Sequence, residues 1–244
     1  MILKDQALVL RMYPFGNTSR IVVWLSPDYG KLATLVKGSQ RGKSPFLGQY
    51  DSFYTCEILF YARSLHILKE CAPLDARPGL RTDWRACAVA SYAAGAIDRA
   101  VPFGGAALGL YRLLEETLDS LASRTPGPAF ILRFELHLLR ELGLAPGWTH
   151  CGKCGTRLPD GASARLNAAA GSLLCLACAG EGRGLPISGA TLEAIRLMGG
   201  EHMPASIPER VFVEIRDVFG GLLEHHADLD PHPRNLAFQI LRTT

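Results

Sequence analysis

The first third of the chain looks like sheet, and its fourth segment alternates. Tyr54, Cys56, Ile58 and Phe60 are spaced by Thr55, Glu57 and Leu59, the period of two of a half-buried strand. Runs rich in Val, Ile, Leu and aromatic residues also cover Gln6–Met12, Ser19–Leu25, Lys31–Lys37 and Leu65–Glu70, beside Phe53–Tyr61 itself. Turn clusters divide them: Pro14-Phe15-Gly16-Asn17, Ser26-Pro27-Asp28-Tyr29-Gly30 and the longer Gly38–Gly48. Five short strands in about seventy residues predict a small barrel, for which the OB-fold is the commonest five-stranded solution.

Ala76-Arg77-Pro78-Gly79 breaks this pattern, and helical spacing follows. Trp84–Ala100 is Ala-rich and starts behind Thr82-Asp83, a capping pair. Leu108–Ala122 places Leu110, Leu113, Leu114, Leu118 and Leu121 on one face. Pro128–Leu142 opens on a first-turn proline and stops at Gly143. Ser188–Met198, Pro208–His226 and Pro233–Leu241 complete the expected helices. The chain therefore reads as α+β: an N-terminal five-stranded OB-fold barrel over 1–78, then an α-helical domain over 79–244, interrupted by an insert at 148–184. No internal repeat or low-complexity run is visible.

That insert carries the sharpest chemistry. Cys151-x-x-Cys154 and Cys175-x-x-Cys178 are two tight pairs with twenty residues between them, punctuated by Gly152, Gly155 and Gly171. Each pair sets two thiolates on one turn, and two facing turns complete a tetrahedral Zn²⁺ site. Four thiolates leave no position for water, so such a zinc is structural rather than catalytic. The competing readings are two disulfides or four unrelated thiols. His150, beside the first pair, is a weaker substitute ligand.

Composition narrows the setting. At 244 residues with nearly balanced charge, the chain reads as a globular protein with room for a large core. Its seven cysteines are an odd number, and Cys56, Cys71 and Cys87 fall in apolar stretches, as buried thiols of a reducing cytoplasm would. No signal peptide is expected, because Lys4 and Asp5 interrupt the start. The uncharged stretches Ala86–Ile97 and Ala100–Tyr111 are too short to span a membrane.

The net charge of +3 hides an asymmetry: residues 1–50 hold seven Lys and Arg against two acids, whereas 201–244 hold four against seven. Positive potential at the N-terminal end attracts a polyanion. Within it, Lys37, Arg41 and Lys43 punctuate Gly38-Ser39-Gln40-Arg41-Gly42-Lys43-Ser44. A phosphate loop needs four residues between its glycines, but this run has three, and Pro45 follows in place of a helix. The run is either a solvated loop or a mobile cationic loop gripping a nucleic-acid backbone. Ten of the twenty Phe, Tyr and Trp lie in the first 61 residues. Trp24, Phe53 and Phe60 suit the core, while Tyr13, Phe15, Tyr29, Phe46 and Tyr50 lie in turns near basic residues. The rings either fill a small barrel or stack on unpaired bases; their clustering with cations favours a single-strand groove.

Motifs of catalysis are absent: the chain has no G-x-S-x-G, no H-E-x-x-H and no dinucleotide fingerprint. A sirtuin-type deacetylase with a Cys₄ module would need that fingerprint. An RNA-binding or transcription-associated zinc-ribbon protein and a purely structural adaptor remain as rivals.

Taken together, the motifs resemble the bacterial recombination mediator RecO family. The resemblance rests on Ala7-Leu8-Val9-Leu10-Arg11, Thr18-Ser19-Arg20-Ile21-Val22, Gly30-Lys31, Val36-Lys37-Gly38 and Lys43-Ser44. It continues in Leu138-Leu139-Arg140-Glu141-Leu142-Gly143-Leu144-Ala145-Pro146 and the following Cys151-Gly152-Lys153-Cys154-Gly155. The family usually carries an acidic residue where this chain has Asn17. The resemblance implies a non-enzymatic, cytoplasmic and nucleoid-associated DNA repair protein. Such a protein binds single- and double-stranded DNA, anneals complementary strands without ATP, and works with RecR to load RecA onto strands covered by single-strand binding protein. It further implies phosphate contacts from Arg11, Arg20, Lys31, Lys37, Arg41 and Lys43.

Overall fold

Five strands come first in the computed structural model: β1 (Ile2–Phe15), β2 (Ser19–Ser26), β3 (Gly30–Val36), β4 (Thr55–Tyr61) and β5 (His66–Asp75). β1 serves two neighbours, pairing antiparallel with β4 from Ile2 opposite Tyr61, then with β2 as far as Phe15 opposite Ser19. Its register slips between Val9 and Arg11, a bulge that bends the strand out of one plane into the next. β5 closes against β3 through a short parallel contact at Thr34–His66 and Leu35–Ile67. The order β1-β2-β3-β5-β4 returns to β1, giving the closed five-stranded barrel that the alternation predicts. Residues 1–180, 184–200 and 206–242 are described here. Residues 181–183 of the expected insert, and 201–205 and 243–244 of the acid-rich end, lie outside them.

The barrel interior is built on Val9, Val22, Trp24, Ile58 and Phe60. Trp24 donates its indole N–H to Thr34 Oγ1 at 2.9 Å, so this buried donor is satisfied. β1 begins earlier than the apolar pattern predicts, because Lys4 pairs with Glu57 of β4 at 2.9 Å and need not leave the sheet. β4 begins later, because Phe53 sits at φ 68°, left-handed backbone that ends a strand.

Leu8, Leu10, Ile21, Val23 and Leu25 alternate with interior residues yet are also buried. The same compact unit, Met1–Pro126, contains α1 (Gly79–Thr82), α2 (Trp84–Ala100) and α3 (Leu108–Ser123). α2 packs on β1 and α3 on β2, so both strands are covered on two faces and read as continuous apolar runs. The alanines of α2 allow close approach. Asp83 caps this helix, its carboxylate accepting from the N–H groups of Arg85 and Ala86. Arg77 fastens the joint before α1. Its buried guanidinium donates to Asp119 Oδ1 at 2.7 Å, Phe53 O at 2.9 Å and Thr55 Oγ1 at 2.8 Å.

The second unit, Gly127–Thr244, holds α4 (Pro128–Glu141), β6 (Ala164–Asn167), β7 (Ser172–Cys175), α5 (Leu176–Ala179), β8 (Leu185–Ile187), α6 (Gly189–Met198), α7 (Glu209–Ala227) and α8 (Pro231–Arg242). α7 is central, packing against both α4 and α6 around Ile131, Leu138, Ile195, Ile215 and Phe219. Inside it the Arg234 guanidinium grips Glu135 through bonds of 2.6 and 2.8 Å, and donates to the Arg216 carbonyl at 2.7 Å. β6–β8 form a small sheet in the order β7-β6-β8. Among the described residues, no helix is long and apolar enough to cross a membrane.

Candidate metal centre and nucleic-acid interface

The four cysteines of the two pairs converge. The Sγ atoms of Cys151, Cys154, Cys175 and Cys178 all lie within 4.8 Å of one another. The first pair sits on a tight turn in which Gly155 N–H donates to Cys151 O at 2.9 Å, with Gly155 at φ 71°. The second bridges the end of β7 and α5. The two are pressed together by Gly152, whose N–H donates to Leu173 O at 2.7 Å. A Cβ at Gly152 would lie 2.7 Å from the Ser172 Cβ, so only glycine permits this approach.

Metal–sulfur bonds of about 2.3 Å in a tetrahedron set sulfur atoms about 3.8 Å apart. Cys154 and Cys175 stand at 3.9 Å, and the widest pair needs less than about 1 Å of contraction. All seven cysteines are free thiols. Burial opposes ionisation of Cys151, but backbone N–H groups of Cys175, Cys154 and Lys153 outweigh it and bring that thiol down to about 6. Cys178 is pushed up to about 12, chiefly by its hydrogen bonds to Cys175 and Cys154. Thiols that share protons in this way surrender them together to a cation. The donor set therefore fits a thiolate-bound metal ion with no open coordination position. His150 stands apart, its Nδ1 2.9 Å from Thr149 Oγ1.

The module is seated on its own helices. Trp148 lies 6.0 Å from the Phe219 ring and accepts at its carbonyl from Arg196 Nε at 3.0 Å. His226, in the last turn of α7, meets Ala168 O at 2.6 Å beyond the end of β6.

The six cations expected to meet phosphate fall into two groups. Lys31 is only 7 % exposed, and its Nζ reaches the Asp98 carboxylate at 3.4 Å and the Phe103 ring at 4.7 Å. Arg11 is exposed, with Nε on the same Asp98 at 2.5 Å and its guanidinium over Tyr13. The other four, Arg20, Lys37, Arg41 and Lys43, have no side-chain partner among the described residues. Backbone geometry gathers them. Arg20 opposes Val36, which precedes Lys37. The loop after β3 is tied back to the β1–β2 turn by Gly38 N–H to Ser19 Oγ at 3.2 Å and Gln40 N–H to Thr18 O at 2.9 Å.

Family models identify the chain. That of the recombination protein O N terminal matches residues 1–77, and that of the recombination protein O C terminal matches 81–235. The chain belongs to the RecO family. A DNA repair protein RecO of Roseiflexus sp. (strain RS-1) is 30% identical over 100% of this chain and 88% of its own length. That of Anaeromyxobacter dehalogenans (strain 2CP-C) is 32% identical over 91% of each. That of Geobacter metallireducens is 32% identical over 72% of each.

In this RecO-family chain the aromatics expected in turns divide as the cations do, and Tyr13 and Phe15 belong instead to the end of β1. Tyr13 and Phe15 are exposed. Tyr50 is buried edge-on against Trp24, and Tyr29 and Phe46 pack on the barrel core, so these three serve the fold. Sequence reasoning missed Tyr54, Arg81 and Trp84, which line clefts at the barrel surface. The only signal for them is Arg81-x-x-Trp84-Arg85, an aromatic among cations just after the strands end.

Proposed function

We propose that this chain is a non-enzymatic mediator of DNA repair and recombination that binds single- and double-stranded DNA and anneals complementary strands without ATP. The observation that carries the reading is the gathering of Arg20, Lys37, Arg41 and Lys43, without side-chain partners among the described residues, on an OB-fold barrel in a RecO-family chain. Cations held near two strands release counterions from both and lower their repulsion. Arg11 borders this face, while Lys31, at the opposite end of the β2–β3 pairing, holds Asp98. RecR and single-strand binding protein are the expected partners in the cytoplasm, with RecA loading the outcome. The ion in the Cys₄ centre is Zn²⁺, one per chain, holding its own module and taking no part in strand chemistry.

Annealing of two complementary strands by the purified protein, without nucleotide, at low and moderate salt, tests this reading. Fast annealing that weakens with salt is the expected result. Salt-sensitive binding with no annealing would shift the reading to an RNA-binding or transcription-associated role. Absence of both would leave a protein adaptor.

A further inference from the structure

Two clefts adjoin on the N-terminal unit. One, of about 540 Å³, is lined by Tyr13, Arg20, Tyr54 and Arg81 among others. The second, of about 340 Å³, is lined by Phe53, Arg77, Arg81 and Trp84. Both include Asp51 and Arg81, whose ion pair at 2.8 Å forms the ridge between them. Each volume lies within the range of about 300–1,000 Å³ typical of ligand sites.

Along these clefts three rings each lie under an arginine: Tyr13 under Arg11 at 5.3 Å, Tyr54 under Arg81 at 5.3 Å, and Trp84 under Arg85 at 5.7 Å. Trp84 is 61 % exposed, so its ring face is open to a stacking partner. A repeating ring-and-cation pattern matches a polymer that alternates planar bases with phosphates. A phosphate that draws a guanidinium off its ring would leave a face for a base, most openly at exposed Tyr13 and Trp84, since Tyr54 also packs on the barrel core. An acidic peptide would use the arginines but has no need of three ring faces.

We infer that one unpaired nucleic-acid strand leaves the cationic barrel face at Arg20, crosses the Arg81–Asp51 ridge, and stacks a base on Trp84. This rests on the DNA-binding reading above and extends it to residues on α1 and α2. Asp51 competes with phosphate for Arg81, so it weakens strand binding at rest.

The test uses intrinsic fluorescence. Of the three tryptophans, Trp24 and Trp148 are buried, so Trp84 alone reports solvent. Titration with unstructured oligo(dT) should quench emission, and Trp84→Phe should remove most of that change. Trp84→Ala should weaken binding, read by anisotropy of a labelled strand, about 5- to 100-fold. Asp51→Asn, which frees Arg81, should tighten it several-fold. Normal strand binding with no quenching and no effect of Trp84→Ala would overturn this path and leave the DNA-binding reading standing. No strand binding at all would overturn both. Quenching by an acidic peptide but not by oligo(dT) would overturn it in favour of protein docking.

Discussion

In the cysteine module four sulfur atoms converge within 4.8 Å, and their own backbone turns pull them inward. On the barrel four cations have no side-chain partner among the described residues, and neighbouring strands and a loop tied to the β1–β2 turn bring them to one face. The first arrangement is self-contained, since four thiolates fill the coordination sphere of a tetrahedral ion and exclude any further ligand. On the DNA-binding reading the second is completed only by a polyanion, which displaces the screening ions around it. On that reading, holding a module together and recognising a strand fall to different residues. A chelator should strike one region, and salt the other.

Removing the metal offers the largest effect. Structural zinc contributes about 10–16 kcal/mol in isolated fingers, so stripping it should unfold the segment around residues 151–178. Metal analysis should show close to one equivalent of zinc in the purified protein and its loss in Cys154→Ser. Limited proteolysis should then nick that segment, while oligo(dT) binding persists. Binding lost in parallel with zinc would erase the separation between the two regions.

Acid probes the second unit through Glu214. Glu214 of α7 accepts from Ser188 N–H at 3.0 Å and Thr191 Oγ1 at 2.7 Å, holding the start of α6. Burial pushes against its ionisation, but the bonds from Thr191, Ser188 and Arg210 prevail and lower its pKa from 4.5 to about 2. Because the folded value is depressed, its stabilisation is complete above pH 4.5 and is lost as pH falls through about 2. Glu214→Gln should lower stability at neutral pH by on the order of 1–3 kcal/mol and flatten that acid limb. Thermal melts across pH would measure it; an unchanged acid limb would show that α6 is held by packing alone.

How far each region was legible follows from the same contrast. The Cys-x-x-Cys spacing writes the metal centre into adjacent residues, so local geometry suffices to foresee convergence. β4 is legible for a similar reason, since its alternation is local. The bulge in β1 and the burial of Ile21, Val23 and Leu25 under helices depend on partners far along the chain. Lys31 looks like Lys37 in sequence, but Asp98, sixty-seven residues on, draws it into the fold. Strands β6–β8 escaped notice because each is only three or four residues long, too short to show a period. Tyr54, Arg81 and Trp84 share a surface only through the joint that Arg77 fastens.

The smallest effect sharpens the comparison most, because it lies between lysines that the sequence does not distinguish. Each phosphate neutralised on a single strand contributes about 0.7 to the slope of log K against log salt. Lys37→Ala with Arg41→Ala should therefore flatten that slope by about 1.4, and weaken binding about tenfold near physiological salt, whatever the strand's sequence. Lys31→Met, which keeps the buried stem and removes the charge facing Asp98, should instead lower melting temperature and leave the slope unchanged. The two variants carry opposite signatures, one in the salt titration and one in the melt. A slope flattened by Lys31→Met would mean that the Asp98 pair opens for phosphate. An unchanged slope in the Lys37 and Arg41 double variant would remove the cationic loop from the interface.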